Sequence, residues 1–200
     1  MKTPKFNNRP NDHVSYWFES EHTGVKVRQD FWVCRACAIV GIVLAKTPSG
    51  MKILITKRSN KMRDEAGKYG VPCGYLDWDE NGYEAMTREI YEETSLYLPE
   101  YKQFLIENNN EQPFAIHDSP TRNSRQNVSL IYLSVYDFMT RMDLFPNGIE
   151  KYIDRETAEV KWMLLAEFYG RYEEEYRWAF QHNETIREAV EFFLKKIETK

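Results

Sequence analysis

Apolar residues along the chain fall into runs with two different periods, which predicts a domain that combines strands and helices. An apolar, β-branched run at 31–46 is followed by the turn sequence TPSG at 47–50 and by the run MKILITKR at 51–58. This order is typical of a β-hairpin. Two later runs, NVSLIYLSVYDF at 127–138 and AEVKWMLL at 158–165, predict two further strands. The loop between these later strands has about 18 residues, a length that suggests a functional role.

Two other segments carry apolar side chains at helical spacing. The first begins after Asn81 and ends before Pro99, because proline cannot continue a helix. Its predicted inward side consists of Ala85, Met86, Ile90 and Thr94. In the second, C-terminal helix, apolar residues recur at i, i+3, i+4, i+7, i+8 and i+11, namely Ile186, Ala189, Val190, Phe193, Leu194 and Ile197. Strands mixed with helices, without an internal repeat, predict a layered α/β or α+β domain.

The length and composition predict one well-cored domain, since 42% of the 200 residues are hydrophobic. Residues 1–30 are polar and interrupted by prolines, and we interpret them as an irregular N-terminal extension. The aromatic triplet YWF at 16–18 suggests that this extension packs on the main body or acts as the arm of a homodimer. The domain itself is assigned to residues 31–200.

Charge and hydropathy narrow the function classes. The net charge is -4 at pH 7, from 27 basic and 31 acidic side chains, which does not favour binding to nucleic acid or to an anionic membrane. The longest apolar run, at 36–45, is about half as long as the roughly 20 residues that span a bilayer. The N-terminal residues contain no signal-peptide core, and three cysteines do not suggest a secreted disulfide framework. We therefore predict a cytoplasmic protein with no nucleic-acid or membrane partner.

An acidic helix face is the first candidate site. Glu89, Glu92 and Glu93 are spaced i, i+3 and i+4, which places them on one side of the predicted helix. The loop before the helix adds further carboxylates, Asp77, Asp79 and Glu80. Like charges at this spacing repel, and carboxylate oxygens are ligands that Mg²⁺ and Mn²⁺ prefer. A divalent cation shared with substrate phosphates is one interpretation, and an ordinary solvated acidic face is the other.

The wider spacing around these glutamates resembles the signature of the Nudix hydrolases, G-x5-E-x7-R-E-U-x-E-E-x-G-U, in which U is aliphatic. Six of its seven fixed positions and both aliphatic positions are matched, by Gly74, Glu80, Arg88, Glu89, Ile90, Glu92, Glu93 and Leu96. The one departure is Ser95, where the family has glycine. Glycine there serves a left-handed helix end, in which another residue costs about 1 kcal/mol. The family's usual Pro-Gly-Gly appears here as Pro72-Cys73-Gly74.

The resemblance implies a three-layer α/β/α sandwich around a mixed sheet. It also implies a hydrolase that uses Mg²⁺ or Mn²⁺ to cleave the diphosphate linkage of a nucleoside diphosphate derivative. By this resemblance, the metal ligands would be Glu89, Glu92 and Glu93, of which Glu93 is the most important. Arg88 would orient these glutamates by ion pairing, and Glu80 would support the loop. Gly74 would let the backbone turn into the helix. The family varies in the carboxylate that takes the proton from water. Glu159 is the first candidate for this base, with Asp118 and Glu156 as rivals.

Two flanking stretches are similar to the branch of the family that cleaves ADP-ribose and related sugar nucleotides. The stretch at 119–135 resembles the segment that enters a central strand, and the stretch at 178–193 carries an Ala-Phe and a histidine before the last helix. We therefore expect a small-molecule nucleotide substrate, with an ADP-ribose-like compound as the first choice. Two alternatives stay open: a pyrophosphohydrolase of nucleoside triphosphates, and a non-catalytic Nudix-like domain that binds a regulatory ligand.

Several single residues keep two interpretations. Arg58, Arg122 and Arg125 can hold substrate phosphates, although exposed arginines are common. His182 can contact substrate, or cap and pack the last helix. The sequence CRAC at 34–37 can be half of a zinc or redox site, but in a predicted strand its cysteines face opposite ways and no second pair completes a tetrahedral set. Small buried residues are the better interpretation of these cysteines.

Overall fold

The computed structural model describes residues 12–19, 23–122, 126–140 and 156–199. The chain divides into two compact units, Met1–Ala36 and Cys37–Lys200, and each is described by itself. Most of the predicted loop between the later strands, at 141–155, lies outside the described residues, and so does the candidate Arg125.

The N-terminal unit contains an antiparallel hairpin made of β1 (Asp12–Glu19) and β2 (Lys26–Val33). The prediction of an irregular extension is therefore wrong for these residues. Side-chain pairs across the hairpin, both polar and aromatic, stabilise it. Ser15 Oγ donates a hydrogen bond to Asp30 Oδ1 at 2.5 Å, and Arg28 Nη2 donates to Ser15 Oγ at 2.8 Å. The role of this unit as a packing or dimer arm stays a prediction.

The predicted strand at 31–46 is in fact two strands. β2 ends at Val33, and β3 (Cys37–Thr47) begins after a short segment without regular structure. β2 pairs with β1, whereas β3 pairs in a different sheet with β4 (Gly50–Arg58) and β9 (Val128–Asp137). The apolar run therefore supplies residues to two separate sheets, and residues 34–36 between β2 and β3 belong to neither.

The second unit is built on a mixed sheet that adds further strands to β3, β4 and β9. They are β5 (Tyr69–Gly70) beside β4, β6 (Cys73–Tyr75) beside β3, β7 (Leu105–Glu107) and β8 (Ala115–His117) beside β9, and β10 (Thr157–Leu164) beside β4. The strand order is β10-β4-β3-β9-β7. β3 runs parallel to β9, and the ladders of β3 with β4 and of β4 with β10 are antiparallel. The predicted hairpin and the two later strands are confirmed.

Helices cover both faces of this sheet. α1 (Gly82–Thr94) packs on one face and α4 (His182–Glu198) on the other. Side chains alternate along β3, so that Ile39, Val43 and Ala45 join the core under α1, and Val40, Ile42 and Leu44 join the core under α4. The three-layer α/β/α sandwich is therefore confirmed. The predicted inward residues of α1, Ala85, Met86, Ile90 and Thr94, are all buried.

Shorter helical turns lie between these elements, and the sequence pattern did not predict them. They are the 3₁₀-helices Leu98–Phe104, Asn109–Glu111 and Ala179–Gln181, the turns α2 (Leu165–Glu167) and α3 (Glu173–Glu175), and the π-helix Phe168–Tyr172 between α2 and α3. In α4, the buried stripe ends at Phe193, and Leu194 and Ile197, although they continue the apolar spacing, are both 52% exposed. No helix in the described part of the chain is both long and apolar enough to cross a membrane.

Candidate active site

The helix that carries the signature glutamates is fixed at its start and along its buried face. Asn81 caps α1, because its Oδ1 accepts hydrogen bonds from the backbone N–H groups of Tyr83 and Glu84, at 2.9 and 3.1 Å. The Glu84 carboxylate accepts a hydrogen bond from the Asn81 N–H at 2.8 Å, which completes a capping box. A Cβ atom at Gly41 on β3 would lie 2.9 Å from Ile90, so this glycine lets α1 approach the sheet closely.

Arg88 is the positive partner of the acidic helix face. Its Nε and Nη2 donate to the two carboxylate oxygens of Glu80, at 3.0 and 2.7 Å. Its Nη1 donates to Glu89 at 2.8 Å and to Glu92 at 2.9 Å, and Nη2 also donates to the Tyr75 carbonyl at 3.0 Å. The hydrogen bonds with Glu80 raise the pKa of Arg88 and lower the pKa of Glu80. One guanidinium thus braces the loop and the helix together.

Glu93 is a buried carboxylate of the site, and Glu89 is half-buried. Glu93 is 9% exposed; its Oε1 accepts from the Cys73 N–H at 3.1 Å and its Oε2 from the Thr56 hydroxyl at 3.2 Å. Burial raises the pKa of Glu93 to about 8 and also raises the pKa of Glu89 above its ordinary value. A Cβ atom at Gly74 would lie 2.0 Å from Glu89 Oε1, so only glycine leaves room for this carboxylate.

The donor set fits a hard divalent cation such as Mg²⁺ or Mn²⁺. Within the described residues, no three His, Cys, Asp or Glu side chains stand ready as a metal-ligand group. The hydrogen bonds above give the reason: Arg88 holds an oxygen of Glu89 and of Glu92, and backbone and hydroxyl donors hold Glu93. Burial raises the pKa of both Glu89 and Glu93, so a bound cation would favour their charged forms. Of the three predicted ligands, Glu93 and Glu89 are the least exposed, and the Glu92 side chain is 53% exposed at the edge of the site.

A pocket of about 300 Å³ opens beside these carboxylates. Its wall includes Cys73 and Gly74 of β6, the strand before α1, so it reaches the same backbone that contacts Glu89 and Glu93. The charged and polar residues of the wall are Arg58, His117, Arg122, Asn127, Ser129, Glu156, His182 and Thr185. Apolar side chains such as Val40 and Ile131 complete it. This mixture of polar groups on an apolar wall suits a small polar ligand.

Two of the three candidate arginines lie in this pocket. Arg58 lines it and lies near Glu93. Its positive charge lowers the pKa of Glu93, which opposes the larger effect of burial. Arg122 also lines it, with Nη2 at 3.7 Å from carboxylate oxygens of both Glu184 and Glu188. The third candidate, Arg125, is not among the described residues.

The structure does not bring Glu159 together with Glu93. Val160 pairs with Thr56, which faces Glu93, and Glu159, one residue earlier, faces the other side of the sheet. There it accepts a hydrogen bond from the Tyr69 hydroxyl at 3.2 Å and lies 3.3 Å from Lys161 Nζ. Of the two rivals, Glu156 lines the pocket and Asp118 is not among the residues that line it. The geometry therefore favours Glu156 over Glu159 as a base near the substrate.

His182 is a buried structural contact at the pocket wall. It is 3% exposed, and its Nδ1 accepts a hydrogen bond from the Val71 N–H at 3.2 Å. Burial, together with nearby Arg58, Arg122 and His117, lowers the pKa of His182 to about 3, so the ring is neutral. His182 thus connects the start of α4 to Val71, just before β6. The sequence left two interpretations open, contact with substrate or packing of the last helix, and this hydrogen bond supports the packing role.

Ser95, the departure from the signature, ends α1 in the left-handed conformation. Its φ is 59° and its ψ is 12°, and its N–H donates to the Tyr91 carbonyl at 2.7 Å. The helix therefore ends in the geometry that glycine adopts without strain, and the glutamates keep their places. The three cysteines, Cys34, Cys37 and Cys73, are all free thiols.

Replacing Ser95 by glycine is expected to stabilise the protein by about 0.5–1 kcal/mol, because glycine removes the Cβ clash of the left-handed conformation. The melting temperature should rise by about 1–4 °C, and hydrolytic activity should not change. Ser95→Ala is the matched control, since it removes the hydroxyl but keeps the Cβ atom. Equal melting temperatures for wild type and Ser95→Gly would contradict this account of the helix end.

Comparison with known proteins agrees with this geometry. A model of a domain family, described as NUDIX domain, matches residues 35–189. No curated protein matches the chain significantly.

Solved structures share the fold at low sequence identity. The NUDIX domain of Shewanella oneidensis NrtR complexed with ADP ribose is 18% identical, with a TM-score of 0.56 over 80% of this chain and 90% of that one. NrtR of the same organism complexed with a 27mer DNA is 20% identical, with a TM-score of 0.58 over 80% and 63%. A bifunctional NMN adenylyltransferase/ADP ribose pyrophosphatase of Francisella tularensis, complexed with AMP and Mn ion, is 20% identical, with a TM-score of 0.57 over 79% and 42%. This chain therefore spans less than two thirds of the latter two proteins.

Proposed function

The chain belongs to the Nudix family, and on that premise we propose that it is a divalent-metal-dependent hydrolase. It would cleave the diphosphate linkage of a nucleoside diphosphate derivative, with an ADP-ribose-like compound as the first substrate. Water attacks one phosphorus atom, the bond to the bridging oxygen breaks, and two phosphate monoesters leave. The metal would be Mg²⁺ or Mn²⁺.

The observation that carries this proposal is a pair of carboxylates, the buried Glu93 and the half-buried Glu89, which lie against the Cys73 and Gly74 wall of a pocket. Buried charges are unfavourable without a partner, and their raised pKa values reflect that penalty. A solvated acidic face, the other interpretation of the sequence, would leave these side chains exposed. Instead, Gly74 and Gly41 leave the space that brings Glu89 and its helix close to the sheet.

The residues of the site divide the remaining work between them. A bound divalent cation would neutralise the diphosphate, polarise phosphorus and lower the pKa of a water molecule. Arg88 holds Glu89, Glu92 and the supporting Glu80 in one arrangement. Arg58 lies in the pocket near Glu93, where its guanidinium can bind phosphate oxygens. Glu156, in the pocket wall, is the preferred candidate for the residue that takes the proton from water.

The similar structures support the choice of substrate class. One of them holds ADP ribose, and another, a bifunctional ADP ribose pyrophosphatase, holds AMP and Mn ion. The wall of the pocket also offers both donors and acceptors, as a sugar with several hydroxyls requires. We propose ADP-ribose or a related sugar nucleotide ahead of a nucleoside triphosphate.

The test is a substrate panel with product analysis. The protein is incubated with ADP-ribose, other sugar nucleotides and nucleoside triphosphates, with MgCl₂ or MnCl₂ and with a chelator as control. We expect AMP and ribose phosphate from ADP-ribose, and no reaction with the chelator. Release of pyrophosphate from a triphosphate would instead favour the triphosphate pyrophosphohydrolase. No turnover of any compound would contradict the hydrolase proposal.

A regulatory domain without catalysis is the second candidate, because one similar structure is NrtR bound to DNA. The expectation of no nucleic-acid partner therefore stays a prediction. A regulatory domain needs only to bind its nucleotide, whereas a hydrolase also needs the metal-binding carboxylates. Binding of ADP-ribose without turnover would favour the regulatory candidate, and turnover would favour the hydrolase.

A further inference from the structure

The backbone before α4 is strained at two consecutive residues, the first of which, Phe180, lines the pocket. Phe180 has φ 49° and ψ 27°, and Gln181 has φ 60° and ψ 32°. L-residues with bulky side chains avoid this left-handed region, and strained residues persist where the surrounding structure holds them. Such strain is common where a side chain must be presented to a ligand.

Buried contacts on both sides hold this strained segment. Ala179 is fully buried, and His182 is anchored by its hydrogen bond from the Val71 N–H at 3.2 Å. A Cβ atom at Gly70 would lie 2.7 Å from His182 Nδ1, so the segment packs directly on β5. With its ends fixed, the left-handed turn points the Phe180 side chain into the wall of the pocket.

The Phe180 ring lies against Arg58. The guanidinium carbon of Arg58 is 5.2 Å from the centre of the ring, within the range of a cation–π contact. Arg58 Nε donates to the Asp64 carbonyl at 3.3 Å, while its two terminal nitrogens donate no hydrogen bond to any residue that the structure describes. Arg58 is thus held by the ring of Phe180 on one side and by a carbonyl at Nε. Its two terminal nitrogens, Nη1 and Nη2, are the atoms that can donate to phosphate oxygens.

We propose that Phe180 is a positioning residue, which holds the Arg58 guanidinium in the pocket so that its terminal nitrogens bind the diphosphate of the substrate. This inference rests on the proposed function, because it assigns Arg58 to the same reaction. Phe180 acts through Arg58, so its removal should weaken substrate binding more than it slows the chemical step. The left-handed backbone conformation at Phe180 is what directs the ring toward Arg58.

The experiment compares Phe180→Ala, Phe180→Tyr, Arg58→Ala and the double variant Phe180→Ala/Arg58→Ala with wild type, using ADP-ribose and MgCl₂. Phe180→Ala should raise KM about fivefold, the size expected for one partly buried cation–π contact, and change kcat less than about twofold. Phe180→Tyr keeps the ring face and should restore the wild-type KM. In the Arg58→Ala background, loss of the ring should add nothing. Additive effects in the double variant, or an unchanged KM in Phe180→Ala, would overturn the proposal.

Gln181→Gly is the matched control for strain, since glycine adopts the same backbone conformation freely and leaves the ring in place. It should raise the melting temperature and leave KM unchanged. A second readout keeps the inference separate from the proposed function: calorimetric binding of inorganic pyrophosphate in the presence of MgCl₂. Phe180→Ala should bind pyrophosphate about fivefold more weakly than wild type, even if no substrate is turned over. Equal binding, or no binding by either protein, would overturn the inference, whereas failure of turnover alone would overturn only the proposed function.

Discussion

Glu93→Gln is expected to lower kcat/KM at least about 100-fold, with the fold intact, because it removes the charge of the most buried candidate metal ligand. Gln is nearly the same size, and it can still accept from the Cys73 N–H and approach the Thr56 hydroxyl. What it loses is the negative charge that a divalent cation requires. Steady-state kinetics with the substrate found in the panel, at several MgCl₂ concentrations, measure the change.

Two further variants make this loss interpretable. Glu174→Gln is the matched control, since Glu174 is an exposed glutamate in the short turn α3 and should retain wild-type kinetics. Glu92→Gln should have an intermediate effect, because the Glu92 side chain is 53% exposed and contacts Arg88 at the edge of the site. Wild-type activity in Glu93→Gln would remove Glu93 from the site.

The same substitution is expected to stabilise the metal-free protein as the pH rises. The pKa of Glu93 is raised by burial from an ordinary value of 4.5 to about 8. Below the lower value, Glu93 is protonated in both the folded and the unfolded chain. Between the two values, the unfolded chain loses this proton and the folded chain must keep it, so folding becomes less favourable as the pH rises. Above the higher value, the penalty is constant.

The measurement is the melting temperature of wild type and Glu93→Gln in a chelator, from about pH 5 to about pH 9. The two proteins should melt within a degree or two of each other at the acidic end. At the alkaline end the variant should melt at least about 3 °C higher, a shift that about 1 kcal/mol produces in a protein of this size. Glu89, whose pKa is also raised by burial, is unchanged in both proteins and largely cancels from the difference. If the difference in melting temperature between the two proteins were constant across this pH range, burial would not raise the pKa of Glu93.

The site residues on α1 could be predicted from the sequence because helical spacing decides which side chains share a face. Glu89, Glu92 and Arg88 meet in the structure as their positions require. The partners from other elements could not be predicted this way. Thr56 on β4 and the Cys73 N–H contact Glu93 only after the sheet and α1 have packed together.

Glu159 lies on the sheet face opposite Glu93 because side chains alternate along a strand. Val160 pairs with Thr56, whose hydroxyl contacts Glu93, so the residue before Val160 faces the other layer. The sequence predicts the strand but not which strand lies beside it, and therefore not which of its faces Glu93 meets. The hairpin of β1 and β2 was not predicted because its apolar residues do not alternate strictly and polar residues such as Ser15 and Asp30 pair across it.

A divalent-metal site formed by the glutamates of α1 can be measured by titrating Mn²⁺ into the protein without nucleotide and following the electron paramagnetic resonance signal of the free ion. We expect wild type and Glu174→Gln to bind Mn²⁺, and a Glu89→Gln/Glu93→Gln double variant to bind it at least about tenfold more weakly. Equal binding of Mn²⁺ by wild type and the double variant would contradict a metal site at these glutamates.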